Sequence, residues 1–159
     1  MGTGKTKAAG RIAEKLGMKY VSTDSLIEEK EGVSISDIFD RKGEAYFRRL
    51  EKEAVKEVSG SENTVIDAGG GAVIDPENVK NLKKKGVIVC LWADAEVIFE
   101  RTKKFTHRPL LRVKDPLAKI RDLLSKRKPF YERADHHVNT RGMSIEQVAA
   151  EIEEIVRNA

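Results

Sequence analysis

Apolar positions follow two alternating rhythms along this chain. Lys5–Leu16 reads as a helix, with Gly17 as its C-terminal stop. Lys19–Ser22 reads as a short strand ended by polar Thr23-Asp24, with a helix at Leu26–Glu31. In Gly43–Val58 the apolar residues Phe47, Leu50, Ala54 and Val58 fall at three- and four-residue steps, which places them on one helical face. Thr64–Ala68 is a strand running into Gly69-Gly70-Gly71. Asp75-Pro76 is an N-cap and first-turn proline for a helix that runs to about Lys85, with Gly86 ending it. Val87–Trp92 is a β-rich apolar run, expected to be a strand buried on both faces. Helices follow at Ala95–Lys103 and Leu117–Ala134, on either side of a basic loop, Lys104–Asp115. His137–Asn139 is a last short strand, and Ser144–Arg157 a final helix opened by a Ser144/Gln147 capping box.

Strand and helix alternate throughout. That predicts an α/β fold, three layers with a central parallel sheet, in one domain over residues 1–159. Ligands in such folds bind at the carboxyl ends of strands. The longest apolar run, Val87–Ala93, has seven residues. A membrane helix needs about 20, so no membrane partner is expected. The single cysteine, Cys90, excludes a disulfide scaffold and a multi-cysteine metal site, and points to a reducing, cytoplasmic setting. Lys+Arg minus Asp+Glu is 30 − 26 = +4. That charge suits an anionic partner, but no strong basic run or aromatic platform points to nucleic acid.

Several short segments carry chemistry. A phosphate loop reads G-x-x-x-x-G-K-[ST], and Gly4-Lys5-Thr6 matches its end. The first glycine of that pattern would precede Met1. In Gly2-Thr3-Gly4-Lys5-Thr6, backbone N–H groups and the helix start favour phosphate oxygens. Lys5 would reach the β- and γ-phosphates, and Thr6 would ligate Mg²⁺. The plain alternative is a turn that caps a helix. Asp24, just past a strand, would orient or deprotonate an acceptor hydroxyl, or else merely cap the next helix. Gly69-Gly70-Gly71 would lie against a ligand, or else form a flexible turn. On Leu117–Ala134 the inward face is Leu117, Ile120, Leu124, Arg127 and Tyr131. A buried guanidinium at Arg127 must meet a carboxylate, from the protein or from a ligand. Arg48 poses the same question beside Phe47 and Leu50. Arg108, in the basic loop, would close over a transferring phosphoryl group or simply be solvated. His107, His136 and His137 lack metal-ligand spacing, and Lys83–Lys85 read as a solvated helix end.

Taken in order, Gly2–Thr6, Thr23–Glu28, Ile35–Phe39, Gly43–Arg48, Gly69–Val73, Arg108–Leu111 and Arg127–Tyr131 resemble the shikimate kinase family. The resemblance implies a P-loop kinase fold and transfer of the γ-phosphate of ATP to the 3-hydroxyl of shikimate, with Mg²⁺ as cofactor. Lys5, Asp24 and Arg108 would be catalytic. Gly2, Thr3, Gly4, Lys5, Thr6, Arg101, Arg108 and Arg141 would hold ATP. Asp24, Arg48, Gly69, Gly70, Gly71 and Arg127 would hold shikimate. The helical segment at about 24–58 would carry the shikimate side, and 104–115 a mobile lid, in a monomer.

Two departures matter. The family usually has Asp-Thr-Asp where this chain has Ser22-Thr23-Asp24, and Asp67 stands where a small or hydroxylated residue is common. The expectation is that the metal-positioning carboxylate has moved from position 22 to Asp67, with capping of the glycine turn as the plain alternative. A second expectation is that the first central strand precedes Met1, leaving a poorly folding chain or a groove between two strands. The competing readings are a gluconate or nucleoside monophosphate kinase, or a catalytically impaired nucleotide-binding homologue.

Overall fold

The computed structural model describes residues 2–103 and 109–158. Helix α1, Lys5–Leu16, begins at Gly4, which turns the chain with φ 90°. It stops at Gly17, φ 62°, whose N–H returns to the Ala13 and Glu14 carbonyls. Strand β1, Lys19–Ser22, leads into α2, Thr23–Glu31. The cap of α2 is Ser22, whose Oγ accepts from the Ser25 N–H at 3.2 Å. Asp24 therefore does not cap this helix; it lies in the first turn.

Helix α3, Ile35–Val58, is kinked at Gly43, which departs from helical geometry with φ 79° and ψ 172°. Strand β2, Thr64–Asp67, is followed by a 3₁₀ turn at Ala72–Ile74 and by α4, Pro76–Leu82. Helix α4 ends short of Lys85, where the Lys84 N–H tightens onto the Asn81 carbonyl three residues back. Lys83 and Lys85 are not merely solvated: they pair with Asp135 and Glu62. Strand β3, Val89–Trp92, precedes α5, Ala95–Thr102, and Pro109–Leu111 forms a second 3₁₀ turn. Helix α6, Pro116–Tyr131, closes before Ala134, because the last N–H groups make tight turns onto Phe130 and Tyr131. Strand β4, His136–Asn139, and helix α7, Ile145–Asn158, complete the order. The capping box forms: Ser144 N–H donates to Gln147 Oε1 at 2.8 Å, and Gln147 N–H to Ser144 Oγ at 3.2 Å.

These strands pair in parallel, as strand–helix alternation requires. They form two pairs, β1–β2 and β3–β4. Among the described residues no ladder joins β2 to β3. An apolar cleft of about 870 Å³ separates them, lined by Ile12, Val65, Ile66, Val89, Leu91 and Ile152 among others. This corrects the expectation of a strand buried on both faces. All four residues of β3 are only partly buried, because the strand borders the cleft instead of another strand.

The cleft also divides the core. One buried cluster joins α1, β4 and α7 through Ala8, Ile12, Val138, Val148 and Ile152. A second closes α2 on α3 through Ile27, Ile38, Phe47 and Ala54. A third joins α5 and α6 through Ala93, Ala95, Ile98 and Ile120. In α1, α5 and α7 the contributed residues are three or four apart, the spacing of one helical stripe. Among the described residues no helix is long and apolar enough to cross a membrane.

Candidate active site

Polar side chains gather where β1 and β2 end and α1 begins. The loop before α1 is wedged between α5 and α7: a Cβ at Gly2 would lie 2.7 Å from Thr102 Cγ2, and one at Gly4 3.5 Å from Ile145 Cδ1. The Thr3 side chain is buried and its hydroxyl has no partner among the described residues. Lys5 and Thr6 are the first residues of the helix, so the loop N–H groups and the positive end of the helix dipole share one point in space.

Asp67 is the last residue of β2 and is buried. Thr6 Oγ1 donates to its Oδ2 at 2.6 Å, and the Tyr20 hydroxyl donates to the same oxygen at 3.3 Å. It does not cap the glycine turn. That turn closes through its own backbone, with the Ala72 N–H on the Gly69 carbonyl at 3.0 Å. Burial, and then the Asp67 charge, push the Tyr20 phenol above its ordinary value.

Asp24 stands at the solvent-facing mouth of the site, with its carboxyl crowded by protein. A Cβ added to Gly69 would sit 3.4 Å from Asp24 Oδ1. Loss of hydration raises the Asp24 pKa above the ordinary aspartate value. The Lys5 charge opposes the rise, while the nearby Asp67 and Glu28 charges add to it.

Arg48 acts on this carboxylate, and a second arginine, Arg127, approaches the same charged cluster from another helix. Arg48, on α3, donates to Glu51 Oε2 at 2.7 Å and to Glu44 Oε1 at 2.9 Å. Arg127, on α6, is 7% exposed. Among the described residues no carboxylate lies within ion-pair distance of it. Its polar neighbours are the Tyr131 hydroxyl and, at longer range, Glu51. Among the described residues, the structural salt bridge that usually explains an inward arginine is therefore absent for Arg127 and present for Arg48.

Gly69 and Gly71 matter through close approach. A Cβ at Gly69 would fall 2.6 Å from Glu51 Oε1, and one at Gly71 would collide with the Arg48 guanidinium. The glycine turn is the floor against which this charged cluster packs. Arg48 ends a long side chain, but Glu51 and Glu44 hold it, so moving it aside also loosens the pairing of buried Glu51. Gly71→Ala is thus expected to lower the melting temperature by several degrees and to raise KM for a carboxylate-bearing substrate about tenfold by displacing the guanidinium. Steady-state kinetics alongside a thermal melt check both halves.

Glu51 is the residue that sequence reasoning missed. It is 1% exposed, and its Oε1 has no partner among the described residues. Burial pushes its pKa up, only partly offset by the Arg48 charge, and Asp24 adds to the rise. A signal was available: Glu51 is four residues after Phe47 and three before Ala54, on the same apolar face, as Arg127 is on its own helix.

Arg101 and Arg141 lie near the ends of β3 and β4. Arg101 donates to the Thr140 hydroxyl and carbonyl at 3.0 and 2.9 Å, and Arg141 pairs with Asp94 at 3.0 Å. Arg108 lies outside the described residues, as does 104–108 of the expected lid. The large apolar cleft meets the site at Thr3, Lys5, Asp67, Gly69, Gly70 and Tyr131; Arg48, Arg127 and Asp24 do not line it. No group of three or more His, Cys, Asp or Glu that would hold a metal occurs among the described residues.

A family model described as "Shikimate kinase" matches residues 1–157. The shikimate kinase of Thermodesulfovibrio yellowstonii is 48% identical over 152 residues, 96% of this chain and 88% of that one. That of Thermus thermophilus is 45% identical over 155 residues, 97% of this chain and 84% of that one. Among solved structures, the shikimate kinase of Acinetobacter baumannii in complex with shikimate superposes with a TM-score of 0.95 at 35% identity. It covers 99% of this chain and 89% of that one. The Aquifex aeolicus enzyme gives a TM-score of 0.85 at 35% identity, covering 99% of this chain and 92% of that one.

Proposed function

The chain belongs to the shikimate kinase family, and from that premise we propose how its own residues carry out phosphorylation of shikimate by ATP. One observation carries the assignment of the substrate side: the buried Arg127 guanidinium has no carboxylate in ion-pair range among the described residues, and it, Arg48 and Asp24 all lie within electrostatic reach of Glu51. A buried cation needs an anion, and the shikimate carboxylate supplies it. Arg48, held by Glu51 and Glu44, completes the grip from the opposite helix. With the carboxylate fixed there, the ring hydroxyls turn toward Asp24 and the Gly69–Gly71 backbone.

Phosphoryl transfer asks little covalent chemistry of a protein; positioning and charge stabilisation do most of the work. Asp24 accepts the hydrogen bond of the 3-hydroxyl and takes its proton at a carboxylate oxygen. Its raised pKa makes it a better base for that hydroxyl than an ordinary aspartate. Gly2–Gly4 and the start of α1 cradle the β- and γ-phosphates with backbone N–H groups, and Lys5 neutralises charge on the moving group. Arg108 adds a second cation over that group. Arg101 and Arg141 flank the nucleotide base.

Mg²⁺ is the family's expected partner for ATP, and the donor set fits it. The Thr6 hydroxyl and the Asp67 carboxylate are hard oxygen donors 2.6 Å apart at the head of α1. When bound, the ion supplies charge neutralisation at the phosphates. We place the reaction in the cytoplasm and the enzyme as a monomer.

Phosphorus NMR of the product tests the acceptor directly. The signal of a phosphate monoester at the 3-position of shikimate is the expected result. A product phosphorylated elsewhere, or formed only from gluconate or a nucleoside monophosphate, would shift the reading to another small-molecule kinase.

A further inference from the structure

In parallel register, Ser22 of β1 stands directly opposite Asp67 of β2, and both are the last residues of their strands. Only one of these two facing positions carries a carboxylate, and they border the same point at the head of α1. The Ser22 hydroxyl is engaged elsewhere, as the cap of α2. Asp67 accepts the Thr6 hydroxyl proton at 2.6 Å. A hydroxyl that donates its proton to a carboxylate presents its lone pairs on the opposite side, toward the phosphate cradle. A carboxylate in this position both orients the hydroxyl and makes its oxygen a better ligand. P-loop NTPases commonly pair a phosphate-loop hydroxyl with an aspartate at a strand end for this purpose.

We propose that in this chain Asp67 is the positioning residue for the nucleotide-bound metal, and that the role is transposable between the two facing strand ends at 22 and 67. This rests on the reading of Gly2–Thr6 as the phosphate site. Three features support it. The Thr6–Asp67 hydrogen bond is made by the chain's own side chains. Tyr20 donates to the same carboxylate oxygen at 3.3 Å, fixing its rotamer from the other side. The Thr23 hydroxyl reaches the Asp67 carbonyl at 3.4 Å, tying the two strand ends together.

Transposability has a physical basis. Aspartate is as good an N-cap as serine, so Ser22→Asp keeps α2 capped while returning a carboxylate to β1.

The test is calorimetric titration of ADP with and without Mg²⁺, a readout independent of turnover. Mg²⁺ is expected to tighten ADP binding by wild type. Asp67→Asn is expected to lose about 10–100-fold of that metal-dependent gain, with metal-free ADP affinity unchanged. The double variant S22D/D67N is expected to recover most of it. Retention of the full metal gain by D67N would overturn the proposal. So would an equal loss of ADP affinity with and without metal, which marks a structural role. Failure of S22D/D67N to recover, with an unaltered melt, would overturn transposability. If wild type binds no ADP in either condition, the phosphate-site reading fails, and this inference fails with it.

Discussion

Asp24→Asn is expected to lower kcat by about 10²–10⁴-fold, the contribution typical of a positioned general base, while ADP binding is retained. Asparagine keeps the shape and can still accept a hydrogen bond from the substrate, so KM for shikimate changes little. What it cannot do is take the proton. The pH profile supplies a sharper signature. The Asp24 pKa lies above its ordinary value of 3.8, raised first by lost hydration and then by the Asp67 and Glu28 charges, against the pull of Lys5. The active form is the carboxylate, so activity is present above that raised pKa and lost as pH falls through it. The acid limb of kcat/KM, which reports the free enzyme, should therefore lie above the ordinary aspartate range in wild type and vanish in the variant. An unchanged acid limb in Asp24→Asn would assign the base elsewhere.

Arg127→Met separates function from stability. Removing one partner of a desolvated charge pair with the substrate costs about 2–5 kcal/mol, so kcat/KM for shikimate should fall on the order of 10²–10³-fold. The loss should fall mainly on KM, because the carboxylate is held alike in the ground state and the transition state. The folded protein should not suffer. Arg127 is buried without a carboxylate in ion-pair range among the described residues, and a buried cation replaced by an apolar side chain of similar volume is commonly neutral or stabilising. The melting temperature is expected to hold or rise. Arg127→Lys should recover only part of the affinity, since lysine lacks the planar fork that meets a carboxylate with two bonds. A fall in melting temperature with unchanged KM would make Arg127 a structural residue.

Most of the fold and the candidate site was legible in the sequence, for reasons that differ by element. Lys5–Leu16 was plain because glycines bound it on both sides and its apolar residues keep one period. Inward Arg127 was visible because a charge interrupts an apolar face. Within the helical segment expected at about 24–58, the continuity of α3 was the hidden part: Gly43 reads as a break, and the chain does break there, yet helix continues on either side. Termination was also hard to place, because α4 and α6 end in tight turns that no single residue announces. Strand pairing is non-local. Nothing in Val87–Trp92 distinguishes a strand between two neighbours from one bordering a cleft, and β3 is the latter. Glu51 was overlooked although it obeys the same logic as Arg127. The link between Ser22 and Asp67 needed the register, which the sequence leaves open.

The most direct test of shikimate phosphorylation by this chain is ADP release followed by a coupled assay, with ATP and Mg²⁺, in the presence of shikimate, of gluconate, of a nucleoside monophosphate, or of no acceptor. Saturable ADP release with shikimate, and only background in the other three, is the predicted result. ADP release that ignores shikimate while responding to one of the other acceptors, or ATP binding with no shikimate-dependent turnover at all, would contradict it.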